Sequence, residues 1–157
     1  MYETKYKSIY EGRVGITLNT QWYEPQDNDN PDHKAQAEKH QQFQLGAWAN
    51  PAFKGEFPKV FKDAVDTRSQ RQGFEKSRLP AFSEEEKIAL NGSIDFLGLN
   101  LYTAYVVEPK EYPITDVSIE SDVGGQQTQD KTWFKSGSPW LSVMPQVMVG
   151  IILEWLM

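Results

Sequence analysis

Two β-type runs, each followed by a stretch of helical character, constrain this chain most. The first, RVGITLNTQWYEP, is rich in β-branched and aromatic residues and is stopped by Pro25. The second extends from about Ile94 to Val107 and carries the apolar stretch GSIDFLGLNLYT at residues 92–103. After the first run a polar turn, QDNDNPD, leads into a predicted helix from about His33 to Ala49. Asp32 is placed to cap it, His40, Phe43 and Ala47 recur at helical spacing, and Pro51 is expected to end it. A shorter helix begins at Ser83, where Glu86 three residues on completes a capping box. It should close at Gly92, a residue suited to a left-handed C-terminal position. A last helix is expected from about Pro145 to the end. Strands separated by helices and long connections are parallel strands, so the expected class is α/β.

A chain of 157 residues fits one ordinary domain and is short for most barrels. Its apolar fraction of 39% and aromatic fraction of 13% suffice for a packed core. A net charge of −6 weighs against a nucleic-acid footprint, and no basic run suits an anionic membrane surface. Cysteine is absent, which excludes disulfides and thiolate metal sites. MYETKYKSIYEGRVGI lacks the apolar core of a signal peptide. The apolar tail from Val143 to Met157 is broken by Gln146 and Glu154 and is short for a bilayer span, so it reads as a buried helix. The segment from about Glu108 to Pro139 reads as one long polar loop, with Gly124 and Gly125 adjacent.

Chemistry-bearing residues are sparse. His33 and His40 lie seven apart on one predicted helix without further ligands nearby, so no metal is assigned to them. Asp27, Asp29 and Glu38 mimic three positions of a calcium loop, but Pro31 and Asp32 occupy positions that need a ligand and a glycine, which leaves a helix-start turn. Glu24, in Trp22-Tyr23-Glu24-Pro25, reads as a strand-end carboxylate in solvent. The second strand is different. Phe96, Gly98, Asn100 and Tyr102 alternate onto one face, and Leu97, Leu99 and Leu101 onto the other, which suits burial under a helix. In a parallel barrel, side chains at the C-terminal strand ends line the active site, so Asn100 and Tyr102 are candidates for ligand contact. The alternative is that they satisfy loop backbone groups.

Several stretches in this order, GRVGITLNTQWYEP, LGAWANPAFKGEFP, SRLPAFSEEE, NGSIDFLGLNLYT and SPWLSVMP, resemble glycoside hydrolase family 1. The resemblance runs from about Tyr2 to Trp155 and is nearest the animal β-glucosidase, lactase-like and myrosinase-like branch. It implies part of a (β/α)8 TIM barrel, about strands five and six with their helices, so that residues 1–157 form an incomplete segment of one barrel domain with a rim loop at 108–139. It implies a retaining β-glycosidase acting on a β-glycoside or oligosaccharide, without cofactor, membrane span or nucleic-acid partner. Complete relatives are often secreted, while the compartment of this chain stays open.

The family's acid/base glutamate lies in a Thr-Phe/Leu-Asn-Glu-Pro motif and its nucleophile in a Thr-Glu-Asn-Gly motif. Neither occurs here. By the same resemblance Glu24 falls at the end of strand five, outside the acid/base motif, and Glu154-Trp155 in the sixth helix. Tyr102 matches the tyrosine that bonds to the nucleophile, and Asn100 the asparagine at the floor of the sugar site. Asn19 is a further candidate on the leaving-group side. Tyr112, Trp133 and Phe134 either stack on an aglycone or pack. The sequence departs from the family at Leu101, where a tyrosine or histidine is common, and at Gln146–Gly150, which is more apolar than usual. The chain alone is expected to be inactive. A non-catalytic carbohydrate-binding or interaction fragment is the alternative.

Overall fold

The computed structural model describes residues 5–138 and 141–143. Its order is α1 (Lys7–Tyr10), β1 (Gly15–Pro25), α2 (Pro31–Gln41), a π-helical turn (Gln42–Gly46), α3 (Ala47–Lys54), α4 (Lys59–Arg71), α5 (Glu84–Leu90), β2 (Phe96–Pro109), α6 (Ile119–Val123), β3 (Gly125–Thr128), β4 (Phe134–Lys135) and β5 (Ser142–Val143). The helix expected from Pro145, and Trp140, Pro145, Gln146–Gly150 and Glu154-Trp155 with it, lie outside the described residues.

β1 and β2 pair in parallel, from Gly15 opposite Phe96 to Pro25 opposite Val107, as the interleaved helices require. β3 pairs antiparallel with the far end of β2, from Val106 opposite Thr128 to Pro109 opposite Gly125, so the sheet is mixed. The segment after Glu108 is therefore not a featureless loop. Ser118 caps α6 by accepting from the Ser121 N–H, and Gly124 ends it at φ 64°. Gly125 then passes so close to α2 that a Cβ there would collide with the Gln36 amide and His40 Cε1. The two glycines serve separate needs, one conformational and one steric.

Local signals set most helix ends. Ser83 and Glu86 form the reciprocal capping box of α5, and Gly92 follows that helix with φ 71°. At α2 the cap is Asn30 and not Asp32, two residues further on: the Asn30 side chain accepts from the Asp32 N–H, and Pro31 takes the first helical position. The turn before it is closed by Asp29 N–H donating to Asp27 Oδ1 at 2.9 Å. Pro51 does not end the helix either. The π-helical turn moves the ladder by one residue, with the Ala47 N–H donating to the Gln42 carbonyl, so Pro51 falls within the first turns of α3. Gly55, at φ 70°, ends it.

Two small clusters form the core. Tyr23, Ala37 and Val107, with Tyr105, join the sheet to α2, and Phe43, Val65 and Val123 join the π-helical turn, α4 and α6. Burial is concentrated in the C-terminal half of β2, where Thr103, Ala104 and Val107 are inaccessible. The leucine face is not buried as expected: Leu99 is 45% exposed, and Leu97 and Leu101 are only half-buried. The sheet contact of α2, through Ala37 to Tyr23 and Val107, lies toward the other end of the strands. Among the described residues, no helix is long and apolar enough to cross a membrane.

Candidate functional site

Asn100 and Tyr102 do not end the second strand, as expected, but lie in the first half of β2, which continues to Pro109, and Asn100 meets a matching residue on β1. On their shared face the partners are Gly15 with Phe96, Thr17 with Gly98, and Asn19 with Asn100. Large and small alternate across the first two rungs, and a Cβ on Gly98 would lie 2.8 Å from Thr17 Oγ1. The third rung is polar on both strands. Asn100 Nδ2 donates to Asn19 Oδ1 at 2.8 Å. This pairing leaves the Asn19 amide N–H groups and the Asn100 carbonyl oxygen, so the rung offers donors and an acceptor together. A hydroxyl group, which needs both, suits that surface.

Tyr102 stands just beyond this rung. Thr20 faces Leu101 and Trp22 faces Ala104, so Tyr102 and Thr103 together oppose Gln21. That is a β-bulge, which interrupts the alternation and re-aims a strand end. Thr103 and Ala104 are consecutively buried as a result, and Tyr102 is 64% exposed. Two of the three candidate residues are thus joined by a hydrogen bond, and the third sits at an irregularity next to them.

The supporting residues were not singled out from the sequence. Gln44 Nε2 donates to the Asn19 backbone carbonyl at 3.4 Å, and Gln41 Nε2 to Thr20 Oγ1 at 3.2 Å. Both come from QQFQ, three glutamines around Phe43 in the predicted helix, and that run of side-chain amides is the signal the sequence carries. Tyr23 donates its hydroxyl to Gln21 Oε1 at 2.8 Å, and burial, aided by Tyr105, pushes its phenol pKa upward. Glu24 is half-buried and accepts from Trp22 Nε1 at 2.5 Å, so it is not simply a carboxylate in solvent.

Packing explains most of the remaining candidates. The His40 ring lies 5.1 Å from the Tyr23 ring, tilted by 40°, and its Nδ1 lies 2.9 Å from the Gln36 carbonyl. Burial lowers its pKa, opposed by the contact with the Gln36 carbonyl. Trp133 is buried, Phe134 is 69% exposed, and Tyr112 donates its hydroxyl to the Gly125 carbonyl at 3.1 Å. A cavity of about 450 Å³ opens beside the bulge, lined by Gln21, Tyr23, Gln44, Tyr112 and Gln126 among others. Its amide and aromatic lining is compatible with a polyhydroxylated ligand.

The profile of the family described as glycosyl hydrolase family 1 matches residues 1–157. The chain belongs to glycosyl hydrolase family 1. It is 43% identical over 145 residues to the lactase-like protein of Mus musculus, covering 92% of this chain and 26% of that protein. It is 38% identical to the lactase/phlorizin hydrolase of Rattus norvegicus, covering 99% of this chain and 8% of that protein. Among solved structures it is similar to an aphid myrosinase, with a TM-score of 0.81 and 28% identity over 92% of this chain and 31% of the other. A rice beta-glucosidase gives a TM-score of 0.74 and 32% identity over 92% of this chain and 29% of the other. The chain thus spans about a quarter or less of the lactase-type relatives and under a third of these structures. Family membership and these relatives bear out the lactase-like and myrosinase-like kinship.

Proposed function

We propose that this chain is the strand-five and strand-six segment of a (β/α)8 barrel that hydrolyses β-glycosides with retention of configuration. The observation that carries the reading is the Asn19–Asn100 hydrogen bond, which joins two parallel strands midway along their length, on a polar rung just before the bulge at Tyr102. Asn100 holds the sugar at the floor of the pocket, and Asn19 contacts the leaving-group side. Tyr102 orients the nucleophilic carboxylate and stabilises its charge by donating its hydroxyl. Retention requires two carboxyl groups about 5 Å apart, one attacking the anomeric carbon and one protonating the leaving oxygen. Both belong to motifs this chain does not contain, so the chain alone does not turn over substrate. Substrates are β-glucosides, with oxygen or sulfur at the scissile bond.

Hydrolysis of an aryl β-glucoside by the purified chain tests this. No turnover above the uncatalysed rate is expected. Robust turnover, abolished by Tyr102→Phe, would overturn the proposed inactivity. The amide pair and the adjoining cavity also favour a second reading, a non-catalytic carbohydrate-binding fragment. A sugar-dependent rise in melting temperature supports it, and a sugar-independent transition ends it.

A further inference from the structure

A second cleft, of about 730 Å³, lies on the other side of α2, against α4 and the α6 turn. Its charge balance is unusual for a chain of net charge −6. Of the acids on its walls, Asp63 is already ion-paired with Lys59, and Asp122 is held by Arg78 with Arg68 at 3.9 Å. Arg68 is itself committed, donating to the Pro113 carbonyl at 2.6 Å and to Ser121 Oγ at 3.0 Å. Lys39, Arg71 and Lys110 remain. None of them has a carboxylate within 4.0 Å among the described residues, and Glu111 is the one wall acid not already engaged.

Lys39 is the most telling of these. Its side chain is half-buried, with the ammonium 6.0 Å from the Phe43 ring and next to Gly124, where a Cβ would come within 3.6 Å. Burial lowers its pKa, opposed by the Asp122 carboxylate, so the surroundings disfavour the charge they hold. A partly desolvated ammonium lacking a direct counter-ion is a standing cost that a bound anion removes. Arg71 adds a planar fork of donors suited to a tetrahedral oxyanion, and Lys110 adds a second point charge.

We propose that this cleft binds a small tetrahedral oxyanion, a phosphate or sulfate group, free or as an ester, between Lys39, Arg71 and Lys110. Its size admits a phosphorylated monosaccharide as readily as the free ion. The proposal does not depend on the glycosidase reading, because none of these residues belongs to the Asn19–Asn100 rung.

Calorimetric titration of the full chain with inorganic phosphate, sulfate and glucose 6-phosphate tests it. Saturable binding to one site is expected, weakened about tenfold or more by Lys39→Met and by Lys110→Met, each removing one charge-assisted contact. Lys131→Met, away from the cleft, should leave affinity unchanged. Tighter binding of the ester identifies an ester ligand, and equal binding a free oxyanion. Two results would overturn the proposal: no saturable binding of any of the three, or affinities unchanged in both cleft variants. Binding of glucose 6-phosphate that glucose alone reproduces would also overturn it, since the sugar would then carry the affinity.

Discussion

Gly125 sits where one missing side chain allows two elements to touch. Gln36 Nε2 reaches across to the Val123 carbonyl at 3.0 Å, and the His40 ring lies beside it. Gly125→Ala inserts a methyl group into that contact and is expected to destabilise the chain by roughly 1–3 kcal/mol, read as a shift in the urea midpoint. His40 gives a pH signature at the same contact. Burial holds its pKa below the ordinary 6.5, so the folded chain takes up the proton less readily than the unfolded chain. Its contribution to stability is therefore complete above pH 6.5 and is lost as pH falls through the lowered value. Urea midpoints measured at falling pH should show this loss, and His40→Gln should flatten that part of the profile.

Among the elements, α6 and the turn before it are held by a buried ionic cluster as well as by the packing of Val123 on Phe43 and Val65. Arg68 binds the Pro113 and Asp116 carbonyls and Ser121 Oγ, and Asp122 receives both Arg68 and Arg78. All three ionic side chains are largely buried, so the arrangement fixes position more than it adds net stability. Removing one member is a different matter, because it strands the others. Asp122→Ala leaves two guanidinium groups without their carboxylate and should cost about 3–5 kcal/mol. Hydrogen exchange should then accelerate from Pro113 to Val123, while the paired amides of β1 and β2 keep their protection.

For the whole molecule, the outstanding feature is surface that an ordinary domain would cover. β1 is an edge strand of the described sheet, and Phe96 and Leu99 on its neighbour are each 45% exposed. An unpaired parallel edge beside exposed apolar side chains is a template for further pairing. Sedimentation should therefore show concentration-dependent self-association, and a strictly monomeric chain at high concentration would contradict this. The same open edge fits a segment spanning about a quarter or less of its lactase-type relatives.

Sequence by itself determined the parts that short-range physics controls. The capping box at Ser83 and Glu86, the stop at Pro25, the left-handed Gly92 and the parallel relation of two strands separated by helices could all be read from neighbours within a few residues. Its motifs also determined the family. Where two local signals competed, reading failed: Asn30 outbid Asp32 as cap, and a π-helical turn moved Pro51 into a helix it was expected to end. Only the tertiary structure decided the rest. Whether Asn19 meets Asn100 depends on strand register across 81 residues, and the bulge that sets off Tyr102 depends on one extra residue in one of two distant strands. The docking of α6 and β3 rests on Arg68, Asp122 and the space left by Gly125. Contacts between residues far apart in the chain leave no periodicity to read, so the site became visible only when the strands were paired.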